Sequence, residues 1–119
     1  MQESGTMGYA LDQAAEHLIH ALCEAVVLKR RLAPAQDSRE AIICHDLIED
    51  LAAGLGRHCG ISDQRVEGSE ALGRFIWNVL RCSETWQIAR VFQKTPGMEA
   101  YLMAPYFSAG DLQRAQESP

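Results

Sequence analysis

The chain lacks any long hydrophobic run. Its longest apolar stretch, residues 100–104, holds five residues, whereas a helix needs about 20 to cross a bilayer. No membrane span is expected. The opening residues, MQESGTMGYA, carry no basic region followed by an apolar run. A secretory leader is therefore not expected either, and the cytoplasm is the expected compartment. Cysteine pairs of the CxxC kind are missing. Cys23, Cys44, Cys59 and Cys82 are widely spaced, which argues against a disulfide framework or a zinc knuckle. They read as reduced, mostly buried thiols acting as small hydrophobes. Excess positive charge is missing too: 11 Lys and Arg face 16 Asp and Glu, a net charge of −5. Nucleic-acid binders are usually basic, so no direct nucleic-acid contact is expected. The one basic run, Lys29-Arg30-Arg31, falls at the end of a helix and offsets the negative pole of its dipole. Nucleophilic catalysis finds no GxSxG, and no glycine-rich phosphate loop follows a strand. Strand-like alternation and internal repeats are absent as well.

What is present is 47% hydrophobic residues, the composition of a globular chain. The 119 residues suit a single helical domain, with residues 1–8 and 112–119 expected to be flexible. Helical periodicity runs from Tyr9 to Ala33. Leu11, Ala15, Leu18, Leu22, Val26 and Leu32 share one face, Asp12, Glu16, His20, Glu24 and Arg31 the other. Pro34 stops this helix. Asp37 or Ser38 can cap the next, with Glu40 placed to answer in a capping box. That helix runs to about His58, with Ile43, Cys44, Leu47, Leu51 and Leu55 as its apolar arc and Gly60 to end it. After the loop GISDQRVEG, residues 60–68, Ser69 can cap a third helix reaching about Lys94. Ser83-Glu84-Thr85 offers a restart within it. Thr95-Pro96-Gly97 is a stop and a turn. A short helix over 97–104 precedes a polar tail. The expected class is all-α, a small bundle of three long helices plus one or two short C-terminal helices.

The third helix has apolar residues on two sides. At about 100° per residue, Leu72, Phe75, Ile76, Val79, Cys82 and Trp86 form a core stripe. The opposite side holds Glu70, Arg74, Trp77, Arg81, Glu84, Ile88 and Phe92. Charge there indicates solvent, while Trp77, Ile88 and Phe92 indicate burial. Either the C-terminal segment MEAYLMAPYF folds back over this face, or the face meets another chain. A tryptophan flanked by arginines has the composition of an interface hot spot. Tyr101, Met103, Tyr106 and Phe107 crowd a segment that Pro105 keeps from forming one helix. The expected interface is thus Arg74, Trp77, Arg81, Ile88, Phe92, Tyr101, Met103, Tyr106 and Phe107. Whether it serves self-association, a partner or the chain's own tail stays open at this level.

Histidines are the remaining candidates for chemistry. His17 and His20 lie on the wet side of the first helix and chelate a metal only if another helix supplies ligands. His45-Asp46, following AIIC and with a histidine upstream, resembles the start of an HD-domain phosphohydrolase. That resemblance implies a metal held by His17 or His20, His45, Asp46 and Asp111. The competing reading is a solvated His45–Glu49 pair on a surface helix.

The stretches HALCEAVVLKRRL, 20–32, and ALGRFIWNVLRC, 71–82, together with the length and helical layout, resemble the QslA family, small helical antiactivators of Pseudomonas. The resemblance implies a homodimer that binds a LuxR-type quorum-sensing regulator, LasR. Binding would block that regulator's dimerisation and its hold on DNA. The residues and the resemblance together lead to an expected non-enzymatic interaction module that regulates by binding, with no cofactor. The alternatives are a metal-dependent phosphohydrolase of the HD kind and an assembly subunit without regulatory role.

Overall fold

A computed structural model describes residues 2–61, 65–66, 69–103 and 106–117, with backbone alone for 2–12, 65, 66 and 69. Among the described residues five α-helices carry the fold: α1 (Gln2–Leu32), α2 (Arg39–His58), α3 (Ala71–Leu80), α4 (Thr85–Lys94) and α5 (Ala109–Glu117). The all-α class holds. One two-residue antiparallel pairing interrupts it, β1 (Arg65–Val66) with β2 (Ser69–Glu70), Val66 opposite Ser69. This pairing falls where a loop and then a helix start were expected.

Local chemistry sets most of the boundaries. α1 ends at Leu32 and passes into a 3₁₀ turn, Ala33–Ala35, that contains Pro34. Ser38 caps α2 by accepting the N–H of Ala41 at 3.2 Å. With Ser38 as the cap, Glu40 stands one residue short of the capping-box position. It offers only its charge to the positive end of the helix dipole. The far end of α2 closes as the sequence indicates. Gly60 adopts φ 84°, the Ile61 N–H reaches the Gly56 carbonyl at 2.8 Å, and the Gly60 N–H reaches Arg57 at 3.1 Å. This pair of bonds satisfies carbonyls that the last helical turn would otherwise leave open. After α4, Gly97 at φ 87° lets Met98 donate to the Thr95 carbonyl at 3.0 Å across Pro96. This is the geometry that proline then glycine impose on a tight turn.

Helix α2 sits between α1 and α3, while α4 packs on α5 and on the 3₁₀ segment Glu99–Met103. α1 begins at Gln2, well before the start expected at Tyr9. Its 31 residues account for the 51 Å long axis of the molecule. From α1 the core takes Ala15, Ile19, Leu22 and Val26, from α2 Cys44, Ile48, Ala52 and Leu55. α3 and α4 add Phe75, Val79, Ile88 and Phe92, and the C-terminal segment adds Met98, Phe107 and Ala115. Gly56 permits the close approach of α2 and α3. A Cβ at that position would stand 2.5 Å from Leu72 Cδ1 and 3.3 Å from Phe75 Cδ2.

The expected third long helix is two helices. α3 stops at Leu80, and α4 restarts at Thr85 after residues 81–84. Gln87 holds the restart: its Oε1 accepts the N–H of Ser83 at 2.7 Å and that of Glu84 at 3.1 Å. The polar tail also differs from expectation, because residues 109–117 form α5, which docks Ala115 into the core. Residues 118–119 of the expected flexible end lie outside the described residues.

Candidate protein-interaction surface

The break between α3 and α4 decides which apolar side chains reach the surface. In one continuous helix, Ile88 and Phe92 would share the side of Trp77. The four non-helical residues turn α4 so that both are fully buried. Phe92 meets Phe75 at 6.1 Å between ring centroids and Phe107 at 5.5 Å. Ile88, Phe92 and Phe107 are therefore core residues, and the expectation that they form an interface is corrected. Tyr101 and Tyr106 are half-buried and pack against the same core. Tyr106 also lies on the imidazole of His20, centroids 4.1 Å apart. Of the expected interface, Arg74, Trp77, Arg81 and Met103 remain exposed. Trp77 leaves 60% of its surface to solvent, between Arg74 and Arg81 one turn away on either side. Trp86 is half-buried rather than core. The Arg114 guanidinium lies 4.6 Å from its ring centroid, which ties α5 to the start of α4.

Helix α2 supplies exposed apolar residues that the expected interface did not include. Its apolar arc is wider than the contact it makes. Cys44, Ile48, Ala52 and Leu55 face inward, whereas Ile43 and Leu47 on the flank are 59% and 45% exposed. Leu28 on α1 is 45% exposed. Leu28, Leu47 and Leu51 line a shallow depression of about 750 Å³ that also touches Glu24 and Arg31, and Ile43 lies one helical turn from Leu47. The α1–α2 hairpin thus carries an apolar outer surface. Ile42 is exposed on the other flank of α2. The signal was in the sequence as AIIC, a run whose consecutive isoleucines cannot both face one core from one helix.

Charge on this hairpin is unevenly placed. Arg30, Arg31 and Arg39 are exposed near the connecting turn, together with Asp37 and Glu40. Glu24, Asp46, Glu49 and Asp50 are exposed further along, toward the other end. Arg30 pairs with Glu84 at 3.2 Å, joining α1 to the α3–α4 break. Lys29 is half-buried, and its ammonium donates to the Leu80 carbonyl at 2.5 Å.

The histidines do not converge on a metal site. His20 pairs with Glu24 at 2.6 Å, and His45 Nδ1 lies 3.8 Å from the carboxylate of Asp46 beside it. Asp111 binds the start of its own helix by accepting the Ser108 N–H at 3.1 Å. Among the described residues no three His, Cys, Asp or Glu side chains gather in a metal-holding group. The His17, His20, His45, Asp46 and Asp111 set implied by the HD resemblance is not assembled. The pairing of His45 is with Asp46, not with Glu49.

All four cysteines are thiols outside any disulfide, with Cys23, Cys44 and Cys82 buried. Burial, then the Asp111 carboxylate, pushes the Cys23 thiol up to about 12. Burial pushes Cys82 to about 11. Neutral thiols of this kind are poor nucleophiles. Two form weak hydrogen bonds, Cys44 to the Ala25 carbonyl and Cys82 to that of Asn78, each at 3.3 Å. Among the described residues no helix is long and apolar enough to cross a membrane. Compared with known proteins, the chain matches no family model, no curated protein and no solved structure.

Proposed function

We propose that this chain is a protein-interaction module that regulates another protein by binding it, and that it docks through the outer face of the α1–α2 hairpin. The observation that carries this reading is the exposure of Ile43, Leu47 and Leu28 on that hairpin. Fully burying one such side chain stabilises by roughly 1.5–3 kcal/mol relative to leaving it in water. A contiguous apolar surface rimmed by charges is the composition of a binding face.

The first occupant is a second copy. Two such faces laid antiparallel about a twofold axis bring the Arg31 and Arg39 end of one toward the Glu24 and Asp50 end of the other. The pairing is thus complementary in charge as well as apolar. The further partner is a LuxR-type transcription regulator such as LasR, in keeping with the resemblance of residues 20–32 and 71–82 to the QslA antiactivators. An acidic helical protein presenting an apolar face can occupy a regulator's own dimerisation surface. It then lowers the regulator's dimer fraction and DNA occupancy by mass action, with no cofactor. The cytoplasm is where such a partner would be met. Trp77 between Arg74 and Arg81 is a second, smaller contact on α3.

Co-expression with such a regulator tests the reading. The wild-type chain co-purifies with it and reduces its binding to operator DNA, whereas Leu47→Asp does neither. A regulator that stays dimeric and DNA-bound at excess wild-type chain contradicts the proposal.

A further inference from the structure

A second pocket lies at the closed end of the hairpin, on the other flank of α2 from the depression lined by Leu28 and Leu47. Its volume is about 460 Å³, within the roughly 300–1,000 Å³ typical of small-molecule sites. Leu32, Ala33, Ala41 and Ile42 are its apolar lining, and Lys29, Arg30, Gln36 and His45 line it as well. Ser83, from the α3–α4 break, closes one side. Three separate parts of the chain therefore build it.

Lys29 is the telling residue. It is half-buried, and an ammonium carries three N–H donors. One goes to the Leu80 carbonyl at 2.5 Å. No carboxylate among the described residues forms an ion pair with it. A partly desolvated charge without a counter-ion is costly to hold, and anion binding offsets that cost. Desolvation by burial lowers the Lys29 pKa from its ordinary value, against an opposing pull from the Cys82 and Cys44 thiols. Arg30, by contrast, is largely exposed and already neutralised by Glu84. Leu32, Ala33, Ala41 and Ile42 give the lining an apolar part, and Ile42 is 54% exposed. A simple inorganic anion would leave that part wet.

We propose that this pocket binds a small amphipathic carboxylate, its chain laid along Leu32, Ala41 and Ile42 and its head group on the Lys29 ammonium. The site is independent of the docking reading, because Leu28, Ile43 and Leu47 take no part in it.

Octanoate, used below its micellar concentration, is the probe, with octan-1-ol as the uncharged control of equal chain length. Amide chemical shifts of the full chain report where each binds. Octanoate is expected to give saturable shifts centred on residues 29–33, 41, 42, 45 and 83. It is expected to bind about tenfold or more tightly than the alcohol, the factor that a charge-assisted hydrogen bond supplies. Lys29→Met is expected to remove that preference and leave the alcohol's affinity unchanged. Equal affinity of the wild-type chain for acid and alcohol overturns the proposal without recourse to any variant. So does the absence of saturation, or shifts centred on Ile43 and Leu47 instead.

Discussion

Phe107 meets Phe92 edge to face, ring centroids 5.5 Å apart and planes at 84°. This contact draws the C-terminal segment onto α4 and turns Phe92 from a presumed surface residue into core. An offset or edge-on aromatic pair adds about 0.5–1.5 kcal/mol to the burial of both rings. Phe107→Ala is therefore expected to cost about 3 kcal/mol, at the lower end for truncating a buried phenylalanine. Urea denaturation followed by circular dichroism measures it. A change under about 0.5 kcal/mol, the range of ordinary surface substitutions, would mean that the segment does not hold this position.

The two glycines of α2 should respond with opposite sign to the same substitution. Gly54 has nothing within 4 Å of an added Cβ, so Gly54→Ala is expected to stabilise by about 0.5–1 kcal/mol through helix propensity. Gly56 faces Leu72 and Phe75, both buried. Overpacking there costs about 1–3 kcal/mol and outweighs the propensity gain. Thermal midpoints that shift the same way for both variants would contradict the α2–α3 contact.

Alkaline pH should loosen the fold through its thiols. Cys23 and Cys82 are raised to about 12 and about 11 in the folded chain, whereas an unfolded cysteine titrates near about 8.5. The unfolded state releases these protons first. Stability is therefore level through neutral pH and falls as pH rises above about 8.5 toward the folded values. Cys23→Ala should flatten that fall. Urea midpoints at neutral and alkaline pH test it, and a decline as steep in the variant as in the wild type would contradict it. At mildly alkaline pH a thiol reagent should label Cys59, the one cysteine not fully buried, well before the other three.

Trp77 is exposed between Arg74 and Arg81. Trp77→Ala is expected to change folding stability by no more than about 0.5 kcal/mol. A loss of several kcal/mol, read by chemical denaturation, would place the indole in the core after all.

Much of this architecture was legible in the residues. Pro34, Ser38, Gly60 and Pro96-Gly97 act through their own backbone chemistry, so the boundaries they set need no tertiary information. The stripes Ala15, Leu22, Val26 and Leu72, Phe75, Val79 follow from period alone. The interface was legible only in part. Ser83-Glu84-Thr85 marks a restart, but the angle at which α4 re-enters depends on Gln87 bonding back across the break, and that angle decides the burial of Ile88 and Phe92. The width of the α2 stripe is set by how α1 and α3 straddle it. Period therefore placed Ile43 and Leu47 on the apolar arc without showing that they stay outside the packed interior. Helix α5 has only Ala115 fully buried, a weak signal in a polar tail.

Light scattering of the purified chain, alone and as Leu47→Asp, tests the docking face most directly. The account predicts a wild-type mass of twice 13.2 kDa and a Leu47→Asp mass of 13.2 kDa, with helical content unchanged. A wild-type mass of 13.2 kDa at the same concentration, or a dimer that survives Leu47→Asp intact, would contradict it.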